Sequence, residues 1–213
     1  MWINYPHMPT GSSATINQFK DLIDFSKKHK ILLINDNPYS FILNNDFVSL
    51  LSVKNAKENC MELNSLSKAF NLSGWRVGML LGSKENISSV LKVKSNMDSG
   101  MFYGIQKGAI QALNLDNKWF DSLNVTYSKR RVLMWELASI LKCEVDKSSK
   151  GLFVWAKLPV GINSSEQFIN NILTEKNIFI TPGIIFGSNG EGYIRLSLCI
   201  DEEKIKEAIK RFK

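Results

Sequence analysis

The alternation of apolar and polar positions divides the chain into short strands and amphipathic helices. Ile16, Phe19, Leu22, Ile23 and Phe25 recur near the helical period, which predicts a helix from Ile16 to Lys30 with Thr15 as its N-cap. Ile31-Leu32-Leu33-Ile34 is then a continuous apolar run of strand length, the pattern of a strand buried on both faces of a parallel sheet. Asp36 follows at its carboxyl end, where open α/β sheets bind ligands. Met1–Tyr5, Cys60–Leu63 and Val77–Leu81 read as further strands, while 84–99 and 101–115 read as helices that Gly100 and Gly104 weaken. A long helical pattern runs from Lys118 to Leu141 through Trp119, Leu123, Tyr127, Leu133, Leu137 and Leu141. Strand-like stretches follow at 144–145, 151–156, 177–180 and 192–198, with helices over 164–176 and 201–212. The expected class is α/β: part of a mainly parallel-sheet large domain over 1–115, followed by a smaller α+β domain over 116–213.

Composition narrows the picture. A 213-residue chain with 44% apolar and 22% charged residues has the make-up of a globular protein. No apolar run nears the roughly 20 residues that a membrane span needs, and the first residues lack a signal peptide's basic and apolar regions, so a cytoplasmic protein without membrane contact is expected. Cys60, Cys143 and Cys199 are far apart, and Cys60 and Cys199 read as buried small hydrophobes. With only His7 and His29 beside them, no metal site is expected. The net charge of +7 is spread among acidic residues, as in Asp201-Glu202-Glu203-Lys204, which reads as a solvated face and not a nucleic-acid surface. Part of the excess can serve anionic ligands.

The densest chemistry lies between Ser65 and Gly78. Ser65, Ser67 and Arg76 offer two hydroxyl donors and a guanidinium fork, a combination that holds phosphate oxygens. Lys68 stands between them. An amine partly desolvated near another cation has a lowered pKa, and such lysines form Schiff bases with carbonyl compounds. The phosphorylated aldehyde that joins lysine in this way is pyridoxal 5′-phosphate. Ser-Lys or Gly-Trp-Arg alone would be an ordinary loop; their conjunction is not.

Ser65-Leu66-Ser67-Lys68-Ala69-Phe70 through Gly74-Trp75-Arg76-Val77-Gly78 resembles the lysine signature of the class I/II pyridoxal-phosphate-dependent aminotransferases of fold type I. Asn4-Tyr5-Pro6-His7-Met8-Pro9-Thr10-Gly11, Asp36-Asn37-Pro38-Tyr39 and Tyr193-Ile194-Arg195-Leu196-Ser197 agree with the family in the same order. The resemblance covers the whole chain and implies an aspartate aminotransferase-like fold. It also implies a chain that looks like the family's C-terminal portion, with 1–115 as the end of the cofactor-binding large domain.

The implied reaction moves an amino group between an amino acid and a 2-oxo acid. In the family's pattern Lys68 anchors the cofactor and then moves the proton at the substrate's Cα. Asp36 keeps the ring nitrogen protonated, and Tyr39 bonds the ring's phenolic oxygen. Ser65, Ser67 and Arg76 hold the phosphate, while Arg195, in an otherwise apolar strand, takes the substrate's α-carboxylate. The run of glycines from Gly183 to Gly192 reads as a flexible approach able to close over substrate. The resemblance further implies a homodimer for the full-length enzyme, and a glycine-rich phosphate loop and a stacking aromatic outside this chain. A pyridoxal-phosphate β-lyase, or an incomplete or split chain without activity of its own, also fits these residues.

Met8 departs from the family, which has asparagine before Pro-Thr-Gly; a thioether cannot donate to the phenolic oxygen. The ionised oxygen then loses stabilisation, and the bound imine holds its proton to higher pH. Titrating the absorbance of the cofactor-loaded protein should therefore show a lower midpoint in Met8→Asn than in the parent; equal midpoints would refute this.

Overall fold

In the computed structural model, which describes residues 1–213, the chain divides into two units: Met1–Pro6 with Ser13–Asp121, and His7–Ser12 with Ser122–Lys213. The first unit holds a four-stranded sheet of β1 (Trp2–Asn4), β2 (Leu33–Asn37), β3 (Cys60–Ser65) and β4 (Gly78–Leu81), in that spatial order. β1, β2 and β3 are parallel, with Asn4 opposite Asp36 and Asp36 opposite Leu63. β4 runs antiparallel to β3, so the sheet is mixed at one edge.

Between β1 and β2 the chain forms α1 (Ile16–Lys28), which ends two residues before the predicted boundary. Thr15 caps it as expected, in a reciprocal arrangement with Gln18 that satisfies two otherwise unpaired backbone donors. Its apolar stripe puts Phe19 and Ile23 into a core with Leu33, Leu50, Val53, Ala56 and Cys60. Each large side chain fully removed from water there contributes about 1.5–3 kcal/mol.

The predicted apolar strand is displaced. Ile31 and Leu32 precede β2, Leu32 is partly exposed, and the strand continues instead through Asn35, Asp36 and Asn37. Asn35 and Asn37 are buried in that extension, because hydrogen-bond partners meet them inside the unit. After β3 comes α2 (Leu66–Ala69), and after β4 come α3 (Lys84–Met97) and α4 (Tyr103–Leu113). α3 buries none of its residues, although Leu91, Val93 and Met97 are apolar. Within α4, Gly108 lets the Trp75 ring lie against the helix; a Cβ there would stand 2.2 Å from the ring.

α5 (Asn117–Ile140) begins in the first unit and continues into the second. Its opening turn belongs with the first because the Trp119 indole donates to the Ala69 carbonyl at 2.8 Å and the Phe120 ring packs on Phe41 and Phe70. That moves the division from 115 to 121. The early segment His7–Ser12 groups with the second unit, where the Lys150 N–H donates to the Gly11 carbonyl at 2.8 Å.

The second unit has an antiparallel sheet of β5 (Glu144–Val145), β6 (Phe153–Lys157), β7 (Thr181–Pro182) and β8 (Tyr193–Ser197), in the spatial order β5-β6-β8-β7. α6 (Ser165–Lys176) and α7 (Glu202–Phe212) complete it. The stretch 177–180, expected as a strand, is irregular; Asn177 turns left-handed to end α6, and pairing starts only at Thr181. Cys60 is buried as expected, whereas Cys199 is exposed, because it lies in the turn after β8 and not in the strand.

Two of the four glycines before β8 are close-packed, and Gly187 and Gly192 are not. Gly183 and Gly190 are buried against one another, and a Cβ on Gly183 would fall 2.1 Å from the Gly190 carbonyl oxygen and 2.5 Å from that of Tyr193. Backbone would have to move to admit it. Gly183→Ala should therefore cost about 1–3 kcal/mol, read as a lower urea midpoint; an unchanged midpoint would show that the loop yields freely.

Candidate active site

The parallel ladder β1-β2-β3 brings three of the motif stretches to one edge of the sheet, since all three strands end on the same side. From β1 the chain passes to Tyr5 and Pro6. β2 carries Asp36 and leads to Tyr39, and β3 delivers Ser65 into the turn that holds Lys68.

The lysine turn is fixed by local bonds. Ser65 is the N-cap of α2, its hydroxyl oxygen accepting from the Ser67 N–H at 3.1 Å while its own hydroxyl proton stays available to a ligand. The Asn64 side chain accepts from the Ser65 N–H at 2.9 Å, and the Leu66 N–H donates to the Val77 carbonyl at 3.1 Å. Lys68 is half-buried on a turn tied by Leu66 to Val77, just before β4, and by Ala69 to α5. Arg76 follows in the left-handed conformation, φ 56°, and one of its terminal nitrogens donates to the Ser73 carbonyl at 2.9 Å. The rest of its fork is exposed, in the same Ser65–Arg76 segment as both serines.

Asp36 differs from the other carboxylates with shifted pKa values, which are held low. It lies within β2 and not beyond its end, half-buried, and burial pushes its carboxyl above the usual carboxylate range. No protein hydrogen bond offsets that cost; Asn4 donates to its backbone carbonyl only. Its neighbours Asn35 and Asn37 face the other side of the sheet. A half-buried carboxylate without a protein donor suits a ligand bearing a protonated ring nitrogen, which is what pyridoxal phosphate offers, so the residues present fit that group. Tyr39 is buried in the loop after β2, where its carbonyl accepts from the Ile42 N–H at 3.0 Å.

Sequence reasoning passed over Glu62. It is buried at 5% exposure in β3, directly opposite Asn35. Its carboxylate accepts from the Leu50 N–H at 2.8 Å, from Asn37 Nδ2 and Ser49 Oγ at 3.1 Å each, and from Asn35 Nδ2 at a long 3.5 Å. The signal was present: an acidic residue among Cys60, Met61 and Leu63 requires donors, as the arginine in β8 does.

The second unit carries Arg195. Its guanidinium lies 4.2 Å from the Phe153 ring centre and 4.8 Å from that of Phe186. One terminal nitrogen donates to the Met8 sulfur at 3.4 Å, so the residue that departs from the family's pattern touches this arginine. Trp155, opposite Arg195 in β6, stacks on Tyr193 and meets Phe186 edge to face, which stiffens the aromatic bed. Arginine held between two rings keeps a planar fork ready for a carboxylate.

Comparison with known proteins agrees with these features. The family model for aminotransferase class I and II matches residues 1–212. The LL-diaminopimelate aminotransferase of Aquifex aeolicus is 38% identical over 215 residues, and that of Halothermothrix orenii 41% over 214; each alignment covers 100% of this chain and 55% of the relative. Among solved structures, substrate-bound BacF of Bacillus subtilis superposes with a TM-score of 0.92 at 33% identity, covering 99% of this chain and 54% of that one. A probable N-succinyldiaminopimelate aminotransferase of Thermus thermophilus does so with 0.89 at 32%, covering 99% and 57%. The chain spans about half the length of the relatives it matches. By the match of its whole length to the family model and by its aspartate aminotransferase-like fold, the chain belongs to the aminotransferase class I and II family.

Proposed function

We propose that this chain carries the lysine-bearing part of a pyridoxal-phosphate-dependent aminotransferase that moves an amino group between an amino acid and a 2-oxo acid. The observation that carries the reading is the Asp36 carboxylate, half-buried and without a protein donor, one strand from the turn that presents Lys68. When bound, the cofactor supplies an aldehyde for the amine and a ring that accepts the electrons released at the substrate's Cα.

The chain's own residues then have distinct tasks. The Lys68 amine is the covalent anchor and, once released, the base that moves the proton at Cα. Asp36 pairs with the ring nitrogen and keeps a proton on it. Tyr39 donates its hydroxyl to the ring's phenolic oxygen, and Ser65, Ser67 and Arg76 hold the phosphate with two hydroxyls and a guanidinium. Arg195 takes the α-carboxylate of the amino acid. Relatives at 38% and 41% identity are named for LL-diaminopimelate, which makes that amino donor the first to assay, in a homodimer of the whole protein.

Borohydride reduction after incubation with pyridoxal phosphate tests the anchor. Peptide mass spectrometry should find the cofactor on the peptide containing Lys68 and on no peptide of Lys68→Ala. Equal labelling of the two chains would remove Lys68 from its role.

Asp36 gives a second test, in the ligand-free protein. Its carboxyl is raised in the folded state, so folding disfavours the ionised form. The penalty is present above the folded value and fades as pH drops through it toward about 3.9, the ordinary value for aspartate. Asp36→Asn should then melt higher than the parent at pH 7, by a difference that closes below about pH 4. A difference that persists in acid would assign the gain to packing. The same substitution should weaken cofactor retention, as expected of a residue held at a cost for its chemistry.

A further inference from the structure

We propose that Glu62 is the positioning residue of this site: its buried carboxylate fixes the segment 35–41, and through it Asp36 and Tyr39, at the carboxyl edge of the sheet. The inference rests on the reading of Asp36 and Tyr39 as partners of the cofactor ring.

Glu62 reaches two parts of the first unit directly and a third through Asn35. On β2 it holds Asn37 and, more loosely, Asn35, the residues on either side of Asp36. From the loop it takes the Ser49 hydroxyl and the Leu50 N–H, closing the path of 38–50. The chain of bonds runs on: Ser40 Oγ donates to the Asn37 side-chain oxygen, and Asn44 Nδ2 donates to the Ser40 carbonyl at 3.1 Å. In the other direction the Tyr5 N–H donates to Asn35 Oδ1 at 2.9 Å and Asn35 Nδ2 donates back to the Tyr5 carbonyl at 3.3 Å, extending the ladder past the end of β1. Tyr39 sits between Asn37 and Ser40, both within the network.

A carboxylate is the group this place requires. All four of its neighbours are donors, and an ionised carboxylate is acceptor-only, with sites for each. Glutamine of the same shape would turn an NH2 toward donors and leave at least one unsatisfied. Because successive residues of β2 face opposite sides, holding Asn35 and Asn37 on one side sets the direction of Asp36 on the other.

The test uses Glu62→Gln and, in case that variant folds poorly, Asn37→Ala, which removes the Asn37 bonds to Glu62 and Ser40 and leaves the charge in place. Amide hydrogen exchange of the ligand-free chain is the first readout. In both variants, amides of 36–41 should exchange at least about tenfold faster; in Glu62→Gln the Leu50 amide should as well, while those of α1 and α6 keep their parent rates. The second readout is pyridoxal phosphate retained after dilution. It should weaken about tenfold, the scale on which hydrogen-bonded outer partners act on a bound group, and the pH midpoint of the cofactor's absorbance should move the same way as in Tyr39→Phe. Parent exchange over 36–41, or a uniform acceleration that includes α1, would overturn the proposal and leave Glu62 an ordinary structural residue. Local loosening at 36–41, with Asp36→Asn and Tyr39→Phe leaving retention unchanged, would keep Glu62 as the anchor of the segment and overturn the reading of the site instead.

Discussion

A buried charge must be surrounded by donors, and in the first unit that rule organises the edge of the sheet. Moving an isolated carboxylate out of water costs several kcal/mol, so Glu62 is tolerable only because Leu50, Asn37, Ser49 and Asn35 converge on it. Hydrogen bonds to a charged group contribute about 1.5–3 kcal/mol each, enough together to offset the burial. The direction of β2 past Leu33, the course of the loop to Leu50 and the attachment of Tyr5 all depend on this convergence.

Asp36 shows the same rule left unsatisfied. It lies one residue from Asn35 and Asn37 on the same strand, yet faces the opposite side of the sheet, where no protein donor meets it. One carboxylate is given a full set of donors and holds backbone; the other is half-buried without any and has its affinity to spend on a ligand. That contrast supports the proposed reading, in which Asp36 is the carboxylate that meets a ligand.

The second unit reaches a comparable order by other means. Arg195 is flanked by the Phe153 and Phe186 rings, which order its planar fork. Behind it, the Arg130–Glu202 pair joins α5 to α7, and Arg130 also donates to the Leu198 carbonyl at the end of β8. The contact of Gly183 with Gly190 sets the path that leads into the strand. Glycine there serves close approach of two backbones and not motion.

Much of this was legible in the sequence, and the rest was not, for identifiable reasons. Helix α1 follows from periodicity and from Thr15, and the ranges expected for α6 and α7 open on Ser164 and Asp201, which the structure shows to be caps; such caps act within three residues of themselves. The motif around Lys68 is equally local, because Ser65 caps the turn that carries the lysine. What a residue 27 positions away does is not local: Asn35 and Glu62 are polar letters in separate stretches until parallel pairing sets them opposite one another. The apolar run at 31–34 therefore drew the expected strand too early, and only the fold showed that β2 extends through polar residues. Met8 and Arg195, 187 residues apart, meet for the same reason. The sequence by itself determined the elements and the kinds of chemistry available, since period, cap and residue type act at short range. Only the tertiary structure decided which polar groups are satisfied and which remain for a ligand, because that depends on partners that chain folding alone brings within hydrogen-bond distance.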